Sequence, residues 1–299
     1  PSRGLGDVYK RQVKKQIVIP GQVDYEWVKD KVINWCSPIQ QTDFNEGEGD
    51  FNWEGKLYRP NDLFRVKVLG MFPKVSEDVL IPYEWIEIAN RNWRELQASG
   101  FIPAKSCKLG VDVAGMGRDN SVFCPRYGNY VPQFDVHQSA GRADHMHVVG
   151  MTIPYLKKKG AKAFIDTIGE GAGVYSRLLE EEFTNAFSCK YSEGTDGLHD
   201  ITGEYEFANM RAYLYWALRD WLNPKNGFGA ALPPCDQLME EATETKWKFL
   251  SDGKVIIEPK EDVKKRIKRS PDYMDALANT FYPRDYSFIS DEELLKDFL

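Results

Sequence analysis

The chain has 299 residues, 39 basic and 45 acidic side chains and a formal net charge of −6, so it is not a uniformly basic nucleic-acid coat. Hydrophobic residues make up 42% and include eight tryptophans, enough for a packed core of one large or two ordinary domains. No apolar run approaches the ~18 residues of a membrane span, so no membrane partner is expected.

Residues 1–12 lack an initiator Met and the apolar stretch of a signal peptide, and read as a non-native or truncated leader. Residues 13–75 mix short apolar runs with turn-rich stretches, Gly47-Glu48-Gly49-Asp50 and Arg59-Pro60-Asn61-Asp62 among them. Phe64–Gly70 alternates as a strand would. A helix is expected from Ile81-Pro82-Tyr83 to about Leu96, with Pro82 suited to its first turn, and Ser99-Gly100 to end it. A linker follows at Phe101–Lys105, and the domain boundary is placed there.

Beyond the linker the pattern predicts a strand over Leu109–Val113 and a hairpin of Ser121–Tyr127 and Val131–Gln138 around Gly128-Asn129. A helix over Asp144–Lys159, a strand over Lys162–Ile165 and a tight Gly169–Gly173 turn into a helix at Val174–Phe183 come next. The remaining predicted elements are a strand at Ala186–Tyr191, a helix at Glu204–Leu222, a strand at Val255–Glu258 and a helix at Asp272–Phe281. Three antiparallel strands followed by alternating helix and strand make a mixed α/β sheet with helices on both faces.

Three acidic sites stand at the ends of apolar segments: Asp112 after Leu109-Gly110-Val111, Asp166 after Phe164-Ile165, and Asp275 with Asp272 one helical turn earlier. A lone strand-end aspartate is more often a cap or turn residue, so no one of these sites is specific by itself. Several converging carboxylates suit hard cations such as Mg²⁺ or Mn²⁺, and two such ions side by side support in-line phosphodiester cleavage. Asp112 lies in an otherwise apolar run, where an unpartnered carboxylate is costly to bury. Asp166 ends a strand, the usual place for a site in an open α/β sheet. Crowding among these carboxylates should raise some of their pKa values. Lys260, Lys264, Lys265, Arg266, Lys268 and Arg269 form a basic run just before Asp272, placed to meet DNA phosphates.

Other features carry less. Gly169–Gly173 has neither the P-loop nor the dinucleotide spacing and reads as a strand-to-helix turn. Asp119 reads more readily as a turn residue of Gly117–Asn120 than as a metal ligand or a group supporting one. His145 and His147, two apart, point in different directions on a helix, which speaks against zinc between them. The five cysteines form no CxxC pair and read as buried thiols. The acidic end, 286–299, reads as a tail that could dock a partner through Leu294, Leu295 and Phe298.

Over roughly residues 105–285 the chain resembles the nuclease domain of the large terminase subunit of tailed bacteriophages. The resemblance rests on Gly110-Val111-Asp112-Val113-Ala114 with Gly117-Arg118-Asp119-Asn120-Ser121, and on Ile165-Asp166 followed by Gly169, Gly171, Gly173 and Val174. Gly253–Ile257, Lys260 and, most specifically, Ser270-Pro271-Asp272-Tyr273-Met274-Asp275-Ala276-Leu277 complete it. Phe64–Pro73 resembles the segment that closes the family's ATPase domain.

The resemblance implies a ribonuclease H-like fold over 101–285 and endonucleolytic cutting of double-stranded concatemeric DNA with two Mg²⁺ or Mn²⁺ ions. Asp112, Asp166 and Asp275 are then the metal-binding catalytic residues and Asp272 an accessory ligand. Portal protein and small terminase subunit are the implied partners, in the host cytoplasm and transiently at the procapsid portal. Residues 13–100 become the closing part of the ATPase domain with a linker helix. The sequence carries no Gly-x-x-x-x-Gly-Lys-Ser/Thr, so ATP hydrolysis by this chain is not expected. Competing readings are another ribonuclease H-like enzyme (a Holliday-junction resolvase or a transposase) and a non-catalytic DNA or portal docking module.

Overall fold

The computed structural model describes residues 25–71, 78–115, 120–138 and 144–283. The leader 1–12, Asp119 with its neighbours 116–118, Phe72 and Pro73, and the tail 286–299 lie outside the described residues. The chain divides into two compact units, 1–76 and 77–299. Among the described residues no helix is long and apolar enough to cross a membrane.

In the first unit, helix α1 (Tyr25–Trp35) leads into strand β1 (Cys36–Pro38), followed by β2 (Phe51–Trp53), β3 (Lys56–Pro60) and helix α2 (Asp62–Lys67). The three strands form an antiparallel sheet in the order β1-β3-β2. The predicted strand over Phe64–Gly70 is instead the end of helix α2, through Lys67, followed by a turn. Asn61 caps the helix, its side chain accepting from the Phe64 amide at 2.9 Å, and this local bond outweighs an alternation only a few residues long. Val28, Val32, Leu63 and Phe64 are buried, and Phe64 stacks on Phe51.

The second unit opens with helix α3 (Tyr83–Ala98), the helix predicted before the linker. Pro82 fills its N-cap position, and Asn90 fixes it within this unit by donating to the Leu232 carbonyl at 3.0 Å. The central sheet has five strands: β4 (Lys108–Asp112), β5 (Asn120–Arg126), β6 (Asp135–Gln138), β7 (Lys162–Asp166) and β8 (Ala186–Cys189). Their order is β6-β5-β4-β7-β8; the first three are antiparallel, and β4, β7 and β8 run parallel.

Helices α4 (His145–Leu156) and α5 (Gly171–Glu180) cover one face, where Leu109, Val111, Ile165, Val149, Val174 and Leu178 share a buried cluster. Helix α6 (Met210–Leu222) begins six residues later than the pattern suggests, because Asn209 caps it by accepting from the Ala212 amide. Helix α7 (Asp236–Glu244), strand β9 (Trp247–Phe249) paired with β10 (Val255–Ile257), and helix α8 (Lys260–Ile267) precede the last helix, α9 (Asp272–Asn279).

Helix α9 lies on the opposite face of the sheet, directly over β4. The close approach requires glycine at 110: a Cβ there would fall 1.8 Å from the Ala276 carbonyl oxygen. Asn279 adds a bond from its side-chain amide to the Val111 carbonyl at 3.0 Å. Gly110→Ala is therefore expected to push α9 off the sheet and cost at least about 3 kcal/mol in urea unfolding. Gly150→Ala, in α4 where nothing lies within 4 Å of the added methyl, is expected to gain about 1 kcal/mol in the same measurement. Equal effects at the two positions would refute the packing account.

Candidate active site

Asp112 and Asp166 end two neighbouring parallel strands whose register aligns Val111 with Ile165, so the two carboxylates stand side by side. Helix α9 brings Asp272 and Asp275 over the same strand ends. Asp112, Asp166 and Asp272, together with Ser270, Lys260 and Lys264, line one open cavity of about 220 Å³. Gly115 lines it too and keeps its wall free of side chain. A glycine is also required at 171, where a Cβ would meet the Asp166 carbonyl oxygen at 1.8 Å, so the turn after Asp166 folds tightly onto the strand end.

Asp272 is 6% exposed and accepts from the Asn120 amide at 3.3 Å. Asp166 accepts from the Ile168 amide at 2.9 Å. Asp275 is not a lining group. It is fully buried behind the cavity, where its Oδ1 accepts from the Tyr215 hydroxyl at 2.5 Å and its Oδ2 lies 2.7 Å from Lys260 Nζ. Tyr191 donates to its backbone carbonyl at 3.1 Å. Asp272 therefore faces the cavity, whereas Asp275 lies behind it and anchors Lys260 at its wall.

The electrostatics follow. Burial pushes Asp112 well above the ordinary carboxylate range; Lys260 pulls it down, and Asp275, Asp272 and Asp166 push it up. Burial likewise raises Asp166 to about 6, against the Ile168 amide. It raises Asp272 against bonds from Ser270 and the Asn120 amide. Asp275 moves the other way: burial opposes ionisation, but Lys260, Arg211 and Tyr215 together hold it below its usual value. Lys260 stays charged, its pKa held well up by Asp275 and Asp112 against burial. One charged pair thus sits beside three strained carboxylates, an arrangement with room for added positive charge.

A pH-dependent stability follows. The folded chain holds a proton on Asp166 to about pH 6, whereas the unfolded chain releases it near pH 4, so the folded state binds more protons and stability falls as pH rises through this window. Asp220 and Glu241, raised to about 7 and about 8, have the same sign. Mg²⁺ should relieve only the cavity carboxylates. The difference between the thermal midpoints in Mg²⁺ and in EDTA is accordingly expected to grow between pH 5 and pH 7, as the carboxylates ionise. A constant difference over that range would contradict it.

The basic run divides. Lys264 lines the cavity, and Lys265 is exposed and pairs with Asp262 at 3.0 Å. Lys268 closes α8 in the left-handed region. Arg266 is held by Glu244 and Glu258, and Arg269 by Glu240 and the fully buried Glu241. These two arginines are engaged by intramolecular carboxylates, unlike Lys264 on the cavity wall. The signal that could have revealed this is Glu240-Glu241, whose charges need partners if helix α7 is buried.

His145 and His147 diverge as helical spacing requires. His145 Nε2 lies 2.7 Å from Glu170 Oε2, whereas His147 stacks on His137 of β6 with ring centroids 3.9 Å apart. The His137 contact had no local sequence signal.

No protein-family model matches the sequence, and no curated protein matches it. Among solved structures, the nuclease domain of the large terminase subunit gp2 of bacterial virus Sf6 is similar at 22% identity and a TM-score of 0.54, over 69% of this chain and 99% of that one. A point variant of that domain gives the same figures, both in its structure with calcium and in its structure with manganese and beta-thujaplicinol. The mixed five-stranded sheet and its flanking helices are thus the ribonuclease H-like fold of phage large-terminase nuclease domains.

Proposed function

We propose that this chain is a divalent-metal-dependent endodeoxyribonuclease that cuts concatemeric double-stranded viral DNA during genome packaging. The observation that carries the reading is the convergence of Asp112, Asp166 and Asp272 on one open cavity, with Lys260 on its wall and Asp275 buried behind it. Oxygen-only donors whose pKa values are raised by burial and mutual repulsion fit Mg²⁺ or Mn²⁺. The Sf6 domain variant, crystallised with calcium and with manganese, supports the same choice.

Asp112, Asp166 and Asp272 would hold the ions directly, and Asp275 would act from behind by fixing Lys260. Two bound ions supply Lewis-acid charge stabilisation and a water of lowered pKa for in-line displacement at phosphorus. Ser270 and the Asn120 amide keep Asp272 oriented toward the cavity. Lys264 at the cavity wall is placed to receive a non-bridging phosphate oxygen, with Lys265 and Lys268 farther along the backbone track. Residues 13–100 are assigned to the closing part of a packaging ATPase domain with its linker helix, and the portal protein and small terminase subunit are proposed as partners.

The test is supercoiled plasmid with Mg²⁺ or Mn²⁺ and with EDTA. Nicking and linearisation in either metal, abolished by EDTA, is expected. Retention of plasmid without cutting would move the chain to a docking module, and strong preference for a four-way junction over linear duplex to a resolvase.

A further inference from the structure

A second group of potential ligands lies away from the carboxylate cavity. His137 on edge strand β6 and Asp144 and His147 at the start of α4 present one donor atom each, all within 4.8 Å of one another. Each is held by the fold. Asp144 is the N-cap of α4: its Oδ1 accepts from the His147 amide at 3.1 Å, which leaves Oδ2 to face His137 Nε2 at 3.9 Å. The stack on His137 fixes the His147 ring, and the β5 pairing of Ser121 with His137 fixes the strand. His137 Nε2 is buried and has no hydrogen-bond partner among the described residues.

We propose that His137, Asp144 and His147 form a zinc site separate from the catalytic carboxylates. Two imidazoles and one carboxylate are the donor set of a borderline-soft transition metal, not of Mg²⁺. Tetrahedral ligands at zinc bond lengths stand about 3.4 Å apart, so small side-chain rotations close the present separation. An ion there gives the orphaned His137 nitrogen a partner. It also joins an edge strand to the first turn of α4, spanning the 139–143 connection. The fourth position faces solvent, since Asp144 and His147 are exposed.

The test is calorimetric titration of the EDTA-treated, dialysed chain with Zn²⁺ in excess Mg²⁺, which occupies the carboxylate cavity. One Zn²⁺ per chain is expected. His137→Gln and His147→Gln should each weaken it at least about 100-fold, more than loss of an outer-shell partner does. Asp144→Asn preserves the helix cap and should weaken Zn²⁺ binding while circular dichroism stays unchanged. Asp112→Asn should leave Zn²⁺ affinity unaltered. Absence of saturable Zn²⁺ binding, or binding that survives both histidine variants, overturns the proposal. So does Zn²⁺ binding lost in Asp112→Asn, which would place the ion among the carboxylates. Failure of plasmid cleavage leaves every arm of this titration readable.

Discussion

Asp112→Asn is expected to stabilise the metal-free protein by about 1 to 2 kcal/mol while lowering Mg²⁺-dependent DNA cleavage by about 100-fold or more. The two effects have one cause. Asp112 is 6% exposed, and burial together with Asp275, Asp272 and Asp166 pushes its pKa up. Lys260 offsets this only in part, because its ammonium is already 2.7 Å from Asp275. Asparagine keeps the shape and removes the charge, so the repulsion disappears in the absence of metal. The same change removes an anionic oxygen ligand from the cavity, so the metal-bound protein should lose affinity for Mg²⁺ and, with it, rate.

Urea unfolding in EDTA and plasmid cleavage in Mg²⁺ measure the two halves independently. A variant that cuts normally would exclude Asp112 from catalysis. A variant destabilised in EDTA would show that Asp112 is a satisfied structural group and that the crowding argument is wrong. Asp166→Asn should behave alike but with a smaller stability gain, since it lies less deeply buried and accepts a bond from the Ile168 amide.

Why Asp112 was legible in the sequence is plain: a charge inside Leu109-Gly110-Val111 has to be explained by something the fold brings to it. The alternating strands and helices of 105–222 were legible for the same reason, since burial on both faces of a sheet imposes long apolar runs, whereas helices α7 and α8, which carry several charges each, were not predicted. Phe64–Gly70 was misread because seven residues carry too little periodicity to overrule a cap at Asn61. Strand β9 is three residues long and gains its identity only from pairing with β10.

The roles of Asp272 and Asp275 were the hardest to separate. Three residues along an α-helix leave two side chains about 60° apart around the axis, close enough to share a face in a pattern. That angle is enough here to aim Asp272 into the cavity and Asp275 at Tyr215 and Lys260 behind it. His137 was invisible for a different reason: its partners on α4 are reached only across the sheet edge.

Arg269→Ala is expected to destabilise the fold by about 3 to 5 kcal/mol, the cost of leaving a buried charge unpaired. Arg269 spans two carboxylates of α7, Glu240 at 3.0 Å and Glu241, and also donates to the Gln237 carbonyl at 2.9 Å. Glu241 is fully buried, and its pKa is raised by burial to about 8 despite the arginine. Its second oxygen accepts from the Met274 amide at 2.7 Å, in the first turn of α9. Arg269 therefore holds the carboxylate that holds the helix that carries Asp272.

Loss of the arginine should loosen that turn and lower Mg²⁺ affinity along with stability. Arg269→Lys should recover only part, because an ammonium cannot span both carboxylates as the planar guanidinium does. Adding Glu241→Gln to Arg269→Ala should recover part of the stability, since the amide oxygen still accepts from Met274 and only Glu240 is left without the arginine. A phosphate-binding arginine predicts the opposite pattern: unchanged urea unfolding, weaker DNA binding and a salt slope reduced by about 1. The double variant decides most sharply, because no repair of a carboxylate on α7 could restore a lost contact to DNA.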